Sequence, residues 1–212
     1  MKRRPAPGAE KARQPASAAA VQPTAKPGEV RIIAGIWKRS RLRVVPRPGL
    51  RPTPDRVRET LFNWLGADLA GWRVLDAFAG SGALGLEAAS RGAAEVVLLD
   101  NDAPAVRELA LSHQRLHAPP SVRVERADAM AWMARCPAAC FELIFIDPPF
   151  GAGLAERAAA QAQRLLVPGG WLVVESPEPL PPPNVGVEIR KQLRAGAVHL
   201  ELRQLMPPGW SG

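Results

Sequence analysis

The stretch Val74-Leu75-Asp76-Ala77-Phe78-Ala79-Gly80-Ser81-Gly82-Ala83-Leu84-Gly85 decides the fold. A short apolar run closes on an acid, glycines follow, and a helical pattern begins near position 84. The order is strand, turn, helix. Glycines at such a junction let the backbone lie close to a ligand that faces the next helix N-terminus. Taken alone, Gly80-Ser81-Gly82-Ala83-Leu84-Gly85 is a formal GxGxxG, and Asp100 stands fifteen residues past Gly85, so a dinucleotide fold is one reading. Asp76 tilts the balance. Negative charge four residues before the first glycine suits the cationic amino and sulfonium groups of S-adenosylmethionine, and would repel a pyrophosphate.

Outward from this loop the pattern is regular. Apolar runs at 74–76, 96–100, 122–125, 143–147 and 171–175 alternate with helical stretches at roughly 84–91, 103–117, 129–135 and 154–166. Buried strands separated by helices predict a parallel sheet in a doubly wound α/β domain. After Pro177 the alternation stops. Residues 185–194 and 197–205 read as two strands with no helix between them, which predicts an antiparallel hairpin closing a seven-stranded sheet.

Four acids stand at or just beyond successive strand ends: Asp76, Asp100, Asp128 and Asp147. Open α/β sheets bind ligands there, so four in step predict a shared crevice. A carboxylate at Asp100 suits both ribose hydroxyls of a nucleoside. Asp128 has two compatible readings, acceptor for an adenine amino group and N-cap of the helix that starts near Ala129.

The most specific signal is Asp147-Pro148-Pro149-Phe150, which follows the apolar run 141–146. Two prolines fix the backbone and leave loop carbonyls free for a substrate. An exocyclic amine is a poor nucleophile because its lone pair is delocalised into the ring. An Asp147 oxygen and the Pro148 carbonyl, each accepting one N–H, orient the nitrogen and favour its pyramidalisation. Phe150 offers a stacking face for the base. This chemistry needs no metal and no covalent enzyme intermediate.

The charge is unevenly spread. Residues 1–60 hold 15 Lys/Arg against four acids, a balance of +11, whereas the remaining residues hold 13 against 16, a balance of −3. A near-neutral body with a basic N-terminal end fits a polyanionic partner. Residues 1–28 are rich in Pro, Ala and basic residues without apolar periodicity, which predicts a disordered basic tail. Residues 29–70 read as a small hairpin and a helix. A basic turn at Lys38-Arg39-Ser40-Arg41 joins the strands, and Thr53 caps a helix with Pro54 at its first position. Residues 71–206 form the catalytic domain, and 207–212 a short tail. No run of apolar residues is long enough to span a membrane, and no leader pattern opens the chain, so we expect a cytoplasmic protein. Cys136 and Cys140 are too few for a structural zinc site and read as buried thiols. His113 and His117, one helical turn apart without a third ligand, read as surface residues.

Residues 76–85 and 147–150 together resemble the cofactor loop and catalytic tetrapeptide of class I (Rossmann-like) methyltransferases of the amino-methylating branch. The similarity is closer still. Arg31-Ile32-Ile33-Ala34-Gly35, the run 49–65 (Gly49-Leu50-Arg51-Pro52-Thr53-Pro54-Asp55-Arg56-Val57-Arg58-Glu59 and onward) and residues 78–91 resemble the bacterial 16S rRNA guanine-N2 methyltransferases that modify a helix 31 loop guanine. The likeness runs from about Arg31 to Glu175, more weakly to Leu205, and excludes residues 1–28. It implies S-adenosylmethionine as donor, and a small ribosomal subunit or assembly intermediate as substrate. The target it implies is N2 of guanine 966 in 16S rRNA. Carried onto this chain, it implies Asp76, Phe78, Gly80, Gly82, Asp100 and Asp128 at the cofactor, and Asp147, Pro148 and Phe150 at the reacting amine. It further implies that the hairpin and helix of residues 29–70 contact the RNA, with Arg51, Arg56 and Arg58 near it, and we expect a monomer without a metal. His199 departs from the family pattern, which has an aromatic there, and no role is placed on it. The rivals are adenine-N6 or glutamine-amide methylation, a nicotinamide-dependent oxidoreductase, and a non-catalytic RNA-binding assembly factor.

Overall fold

The computed structural model describes residues 28–46, 53–149, 151 and 153–209. Seven strands form one sheet: β3 (Arg73–Asp76), β4 (Glu95–Asp100), β5 (Val122–Arg126), β6 (Phe141–Ile146), β7 (Leu166–Ser176), β8 (Val187–Ala195) and β9 (Val198–Leu205). Their spatial order is β5-β4-β3-β6-β7-β9-β8. The first five are parallel, and β9 runs antiparallel between β7 and β8. The expected mostly parallel sheet with a C-terminal antiparallel hairpin is present.

Alternating residues of the central strands feed two separate apolar layers. Val74, Val96, Leu98, Leu143 and Phe145 pack with Leu61 and Phe62 of α1 (Asp55–Leu65), Leu86 of α2 (Gly85–Ser90) and Leu109 of α3 (Ala103–Arg115). Leu75, Val97, Leu99, Ile144 and Ile146 face the other way, onto Met133 of α4 (Ala129–Arg135) and Ala155, Ala158 and Ala159 of α5 (Leu154–Ala162). Both faces are covered, which is why these strands read as continuous apolar runs. The alanines of α5 let that helix lie close to the sheet.

Chain order sets the site. From β3 the chain moves outward through β4 to β5, then crosses back to β6 and β7 on the other side. The switch point therefore lies between β3 and β6, where an open sheet leaves a crevice beyond its strand ends.

The N-terminal extension differs from expectation in two respects. Its strands are short, β1 (Glu29–Arg31) pairing with β2 (Arg41–Arg43), so the connection is a nine-residue loop, 32–40, rather than a tight basic turn. This loop docks on α2. Glu87 is fully buried and accepts the backbone N–H groups of Ile33 (2.6 Å) and Ala34 (3.0 Å). The Ser90 hydroxyl donates to the Ala34 carbonyl (2.6 Å) and accepts from the Trp37 N–H (2.9 Å). Gly35 has φ +78°, and a Cβ there would lie 1.8 Å from the Ser90 carbonyl oxygen, so no other residue fits the contact.

The second correction concerns Thr53. α1 begins at Asp55 with Pro54 at the N-cap and no side-chain cap. The Thr53 hydroxyl donates instead to Glu175 Oε2 (2.8 Å), a partner 122 residues away. α5 also ends earlier than predicted, at Ala162, with a 3-10 turn over Gln163–Leu165 before β7 begins at Leu166.

Candidate active site

The loop after β3 is pinned at several points. Ala77 N–H donates to the Phe145 carbonyl (3.1 Å) and Ala79 N–H to the Leu99 carbonyl (2.8 Å), so the loop is laced across the ends of β6 and β4. Asp76 Oδ2 accepts the Gly85 N–H at 2.9 Å, and Asp100 Oδ2 accepts the Gly80 N–H at 2.9 Å. Asp100 Oδ1 takes the Asp102 N–H (2.8 Å), and Asp102 then caps α3 through the Ala105 N–H (3.0 Å). Gly80 has φ +54°, and a Cβ placed on it meets nothing within 4 Å. Its backbone therefore borders open space at the mouth of the crevice.

Asp76 is 1% exposed. Burial is the main cause that raises its carboxyl to about 7; the Gly85 and Phe78 amides oppose the rise, and the neighbouring Asp100 adds to it. A cation in the crevice would relieve that cost. Asp128 is the N-cap of α4, its Oδ1 accepting the Ala131 N–H (2.8 Å). The capping reading is thus realised, and the residue is exposed. Phe78 is half-buried against the α4 and α5 layer.

Asp147 follows the last residue of β6, across the switch point from Asp76. It is half-buried, and neither of its oxygens hydrogen-bonds to a described residue. Burial holds its carboxyl well above the usual range, with Glu175 and then Asp76 adding repulsion. Pro148 is buried and Pro149 exposed, and no described residue donates to the Pro148 carbonyl. A half-buried acid and a carbonyl that no described residue engages therefore follow one another at the end of β6.

Glu175 was not part of the expected site. It sits at the end of β7, 5% exposed, and one residue back the strands are in register as Ile146 and Val174. Burial pushes its carboxyl up, partly offset by the Thr53 hydroxyl. The signal that finds it is the one that found the others: an acid closing a core strand.

The arginines separate. Arg56 is exposed on α1. Arg58 is 0% exposed, its Nη2 donating to the Arg31 carbonyl (2.8 Å) and Asp55 Oδ1 (2.7 Å). It holds the extension to α1 and is not a surface ligand for phosphate. Arg51 and Phe150 lie outside the described residues, as do residues 1–27 of the expected tail and 210–212 at the other end. His113 Nε2 pairs with the Val122 carbonyl (2.8 Å), joining α3 to β5 rather than facing solvent alone. Both cysteines are free thiols of intermediate exposure, and burial is the main cause that pushes Cys136 up to about 11. Among the described residues no group of three or more His, Cys, Asp or Glu side chains is arranged to hold a metal, and no helix is long and apolar enough to cross a membrane.

Comparison with known proteins places this geometry. The family model described as Conserved hypothetical protein 95 matches residues 30–204. Ribosomal RNA small subunit methyltransferase D of Escherichia coli (strain K12) is 44% identical over 149 residues, 70% of this chain and 72% of its own length. The solved structure of yhhF from Escherichia coli superposes with a TM-score of 0.76 at 36% identity, covering 84% of this chain and 99% of that one. Trm1 from Pyrococcus horikoshii, solved with S-adenosyl-L-methionine, shares the fold at 16% identity, with a TM-score of 0.63 over 84% of this chain and 61% of its own.

Proposed function

Because the chain belongs to the Conserved hypothetical protein 95 family, with ribosomal RNA small subunit methyltransferase D among its relatives, we propose that it methylates ribosomal RNA from S-adenosylmethionine. The finer reading is methylation of the exocyclic N2 of a guanine in 16S rRNA, guanine 966 in the usual numbering. The substrate is the small subunit or an assembly intermediate, and the enzyme works as a cytoplasmic monomer. The observation that carries the reading is Asp147, half-buried and with neither oxygen hydrogen-bonded to a described residue, next to a Pro148 carbonyl that no described residue engages, at the switch point.

The crevice fits the cofactor. Asp100 and the Gly80 backbone border the place for a ribose, Asp128 and Phe78 flank the place for an adenine, and Asp76 contributes negative charge beneath the amino-acid end. When bound, S-adenosylmethionine supplies a methyl group already activated by the sulfonium. The protein's task is then to bring the acceptor nitrogen into line. The base leaves its stack, as bases must for chemistry on their edges. Asp147 and the Pro148 carbonyl each accept one amine N–H, which turns the nitrogen lone pair towards the methyl. As the new C–N bond formed, the methyl's C–S bond would break and leave S-adenosylhomocysteine, while the nitrogen, made acidic, would pass its surplus proton to Asp147 or water. Asp147 need not be a strong base beforehand, since the proton is lost only as the methyl arrives.

Asp147→Ala tests this. Calorimetry should show cofactor affinity within a few-fold of wild type, while a turnover assay shows methyl transfer reduced by roughly 100-fold or more. Turnover retained above about a tenth of wild type would remove Asp147 from the role.

A further inference from the structure

Guanine presents three donor hydrogens on the edge that carries N2: two on the amine and one on ring N1. On the reading above, Asp147 and the Pro148 carbonyl take the amine pair, and the N1–H remains. A buried donor left without an acceptor is costly enough to oppose binding. The acceptor nearest by position is Glu175. Its place in the parallel pair of β6 and β7 sets it beside Asp147, and adjacent strands lie about 4.8 Å apart. It is 5% exposed, yet only Oε2 is engaged, by Thr53 at 2.8 Å; Oε1 has no hydrogen-bond partner among the described residues. The Thr53 bond fixes the carboxyl from the side of α1 and leaves the other oxygen for a ligand.

We propose that Glu175 is a specificity residue that reads the acceptor base, its free oxygen accepting the ring N1–H next to the methylated amine. The inference rests on the guanine-N2 reading and deepens it. Adenine and cytosine carry a lone pair, not a hydrogen, on the ring nitrogen beside their amine. A carboxylate fixed opposite that lone pair repels it, and a site built around such a hydrogen bond rejects the analogue that lacks it far more strongly than shape alone does. Asp147 prepares the amine, and Glu175 decides which base presents it. Thr53 is a positioning residue, acting through Glu175.

The test uses reconstituted small-subunit particles carrying either guanine or 2-aminopurine at the methylated position. 2-Aminopurine keeps the C2 amine but has an unprotonated N1. Wild type should prefer guanine in kcat/KM by roughly 100-fold or more. Glu175→Gln can donate an amide N–H to an unprotonated N1, so it should lose about 10- to 100-fold on guanine and shrink the preference to less than about ten-fold. Thr53→Val, which keeps the carboxyl but frees it, should reduce the preference to a lesser extent. Cofactor affinity within a few-fold of wild type in both variants establishes that the fold is intact. An undiminished preference in Glu175→Gln, with guanine turnover retained, overturns the assignment of Glu175 while leaving the guanine reading standing. Wild type that methylates neither particle overturns the guanine reading, and this assignment with it.

Discussion

Glu87 Oε2 accepts the Ile33 backbone N–H at 2.6 Å, joining the N-terminal extension to the helix whose first residue, Gly85, is held by Asp76. One short helix therefore bears on two places. Its first residue is held at the cofactor loop, and Glu87 and Ser90 carry the segment expected to meet RNA. Glu87 is further braced by Arg91, whose Nε is 2.8 Å away and whose guanidinium lies 4.6 Å from the centroid of the Phe62 ring.

Replacing Glu87 with Ala strands two backbone amides and a buried guanidinium together. We expect a loss of about 3 kcal/mol or more, seen as a fall in Tm of roughly 6–12 °C. Because the extension loses its anchor, the KM for small subunits should rise more than the dissociation constant for S-adenosylmethionine. Thermal melts beside the two affinities check this, and an unchanged Tm would show that the docked loop contributes little.

The Asp76 carboxyl gives a pH dependence with a definite sign. Its ordinary value is 3.8, and burial raises it to about 7 in the folded protein. The associated stability is fully present below the unfolded value and is lost as pH rises through about 7, because the folded state then must ionise a buried acid. Asp147 and Glu175 are shifted in the same direction. The protein without cofactor should therefore be less stable at pH 8 than at pH 5 as far as these acids are concerned. A cationic cofactor favours ionised Asp76, so its binding at pH 6 should release a proton, and its affinity should climb with pH up to about 7 and then level. Calorimetry at pH 6 in two buffers of different ionisation enthalpy measures that proton. Equal heats in both would show that Asp76 is not linked to binding.

Arg56 and Arg58 should behave as opposites. Arg56→Gln changes an exposed side chain and should leave stability within about 0.5 kcal/mol. If it meets a phosphate, it should lower the salt slope of subunit binding by roughly 0.7–0.9. Arg58→Gln removes a fully buried donor from Asp55 and the Arg31 carbonyl, and should cost about 2 kcal/mol or more with no direct change in that slope. Denaturant melts and binding titrations over a range of salt separate the two. A stable Arg58→Gln variant with a reduced salt slope would return Arg58 to the RNA surface.

What could be read from the sequence follows from how each signal is encoded. The central strands and helices were legible because their periodicity is local, and the four acids because each stands at or just beyond the end of such a run. Glu87 was hidden: in Leu86-Glu87-Ala88-Ala89-Ser90 it resembles an ordinary polar helix position, and its partners are backbone amides 53 and 54 residues upstream. Thr53 obeys the local rule for an N-cap, but a carboxylate 122 residues later takes its hydroxyl. Arg58 was legible in principle. It stands four residues before Phe62, on the face that carries Val57, Leu61 and Leu65, and a charged residue on an apolar face is a buried pair in waiting.

The most direct test of the whole account is methyl transfer from S-adenosylmethionine labelled with tritium in its methyl group. The acceptors are small subunits that lack the modification, and the labelled nucleotide is then mapped and identified. The account predicts one methyl group per particle, carried by 16S rRNA on N2 of a single guanine and absent when Asp147 is replaced by Ala. Label on adenine N6, on a protein amide, or on no acceptor at all would contradict it.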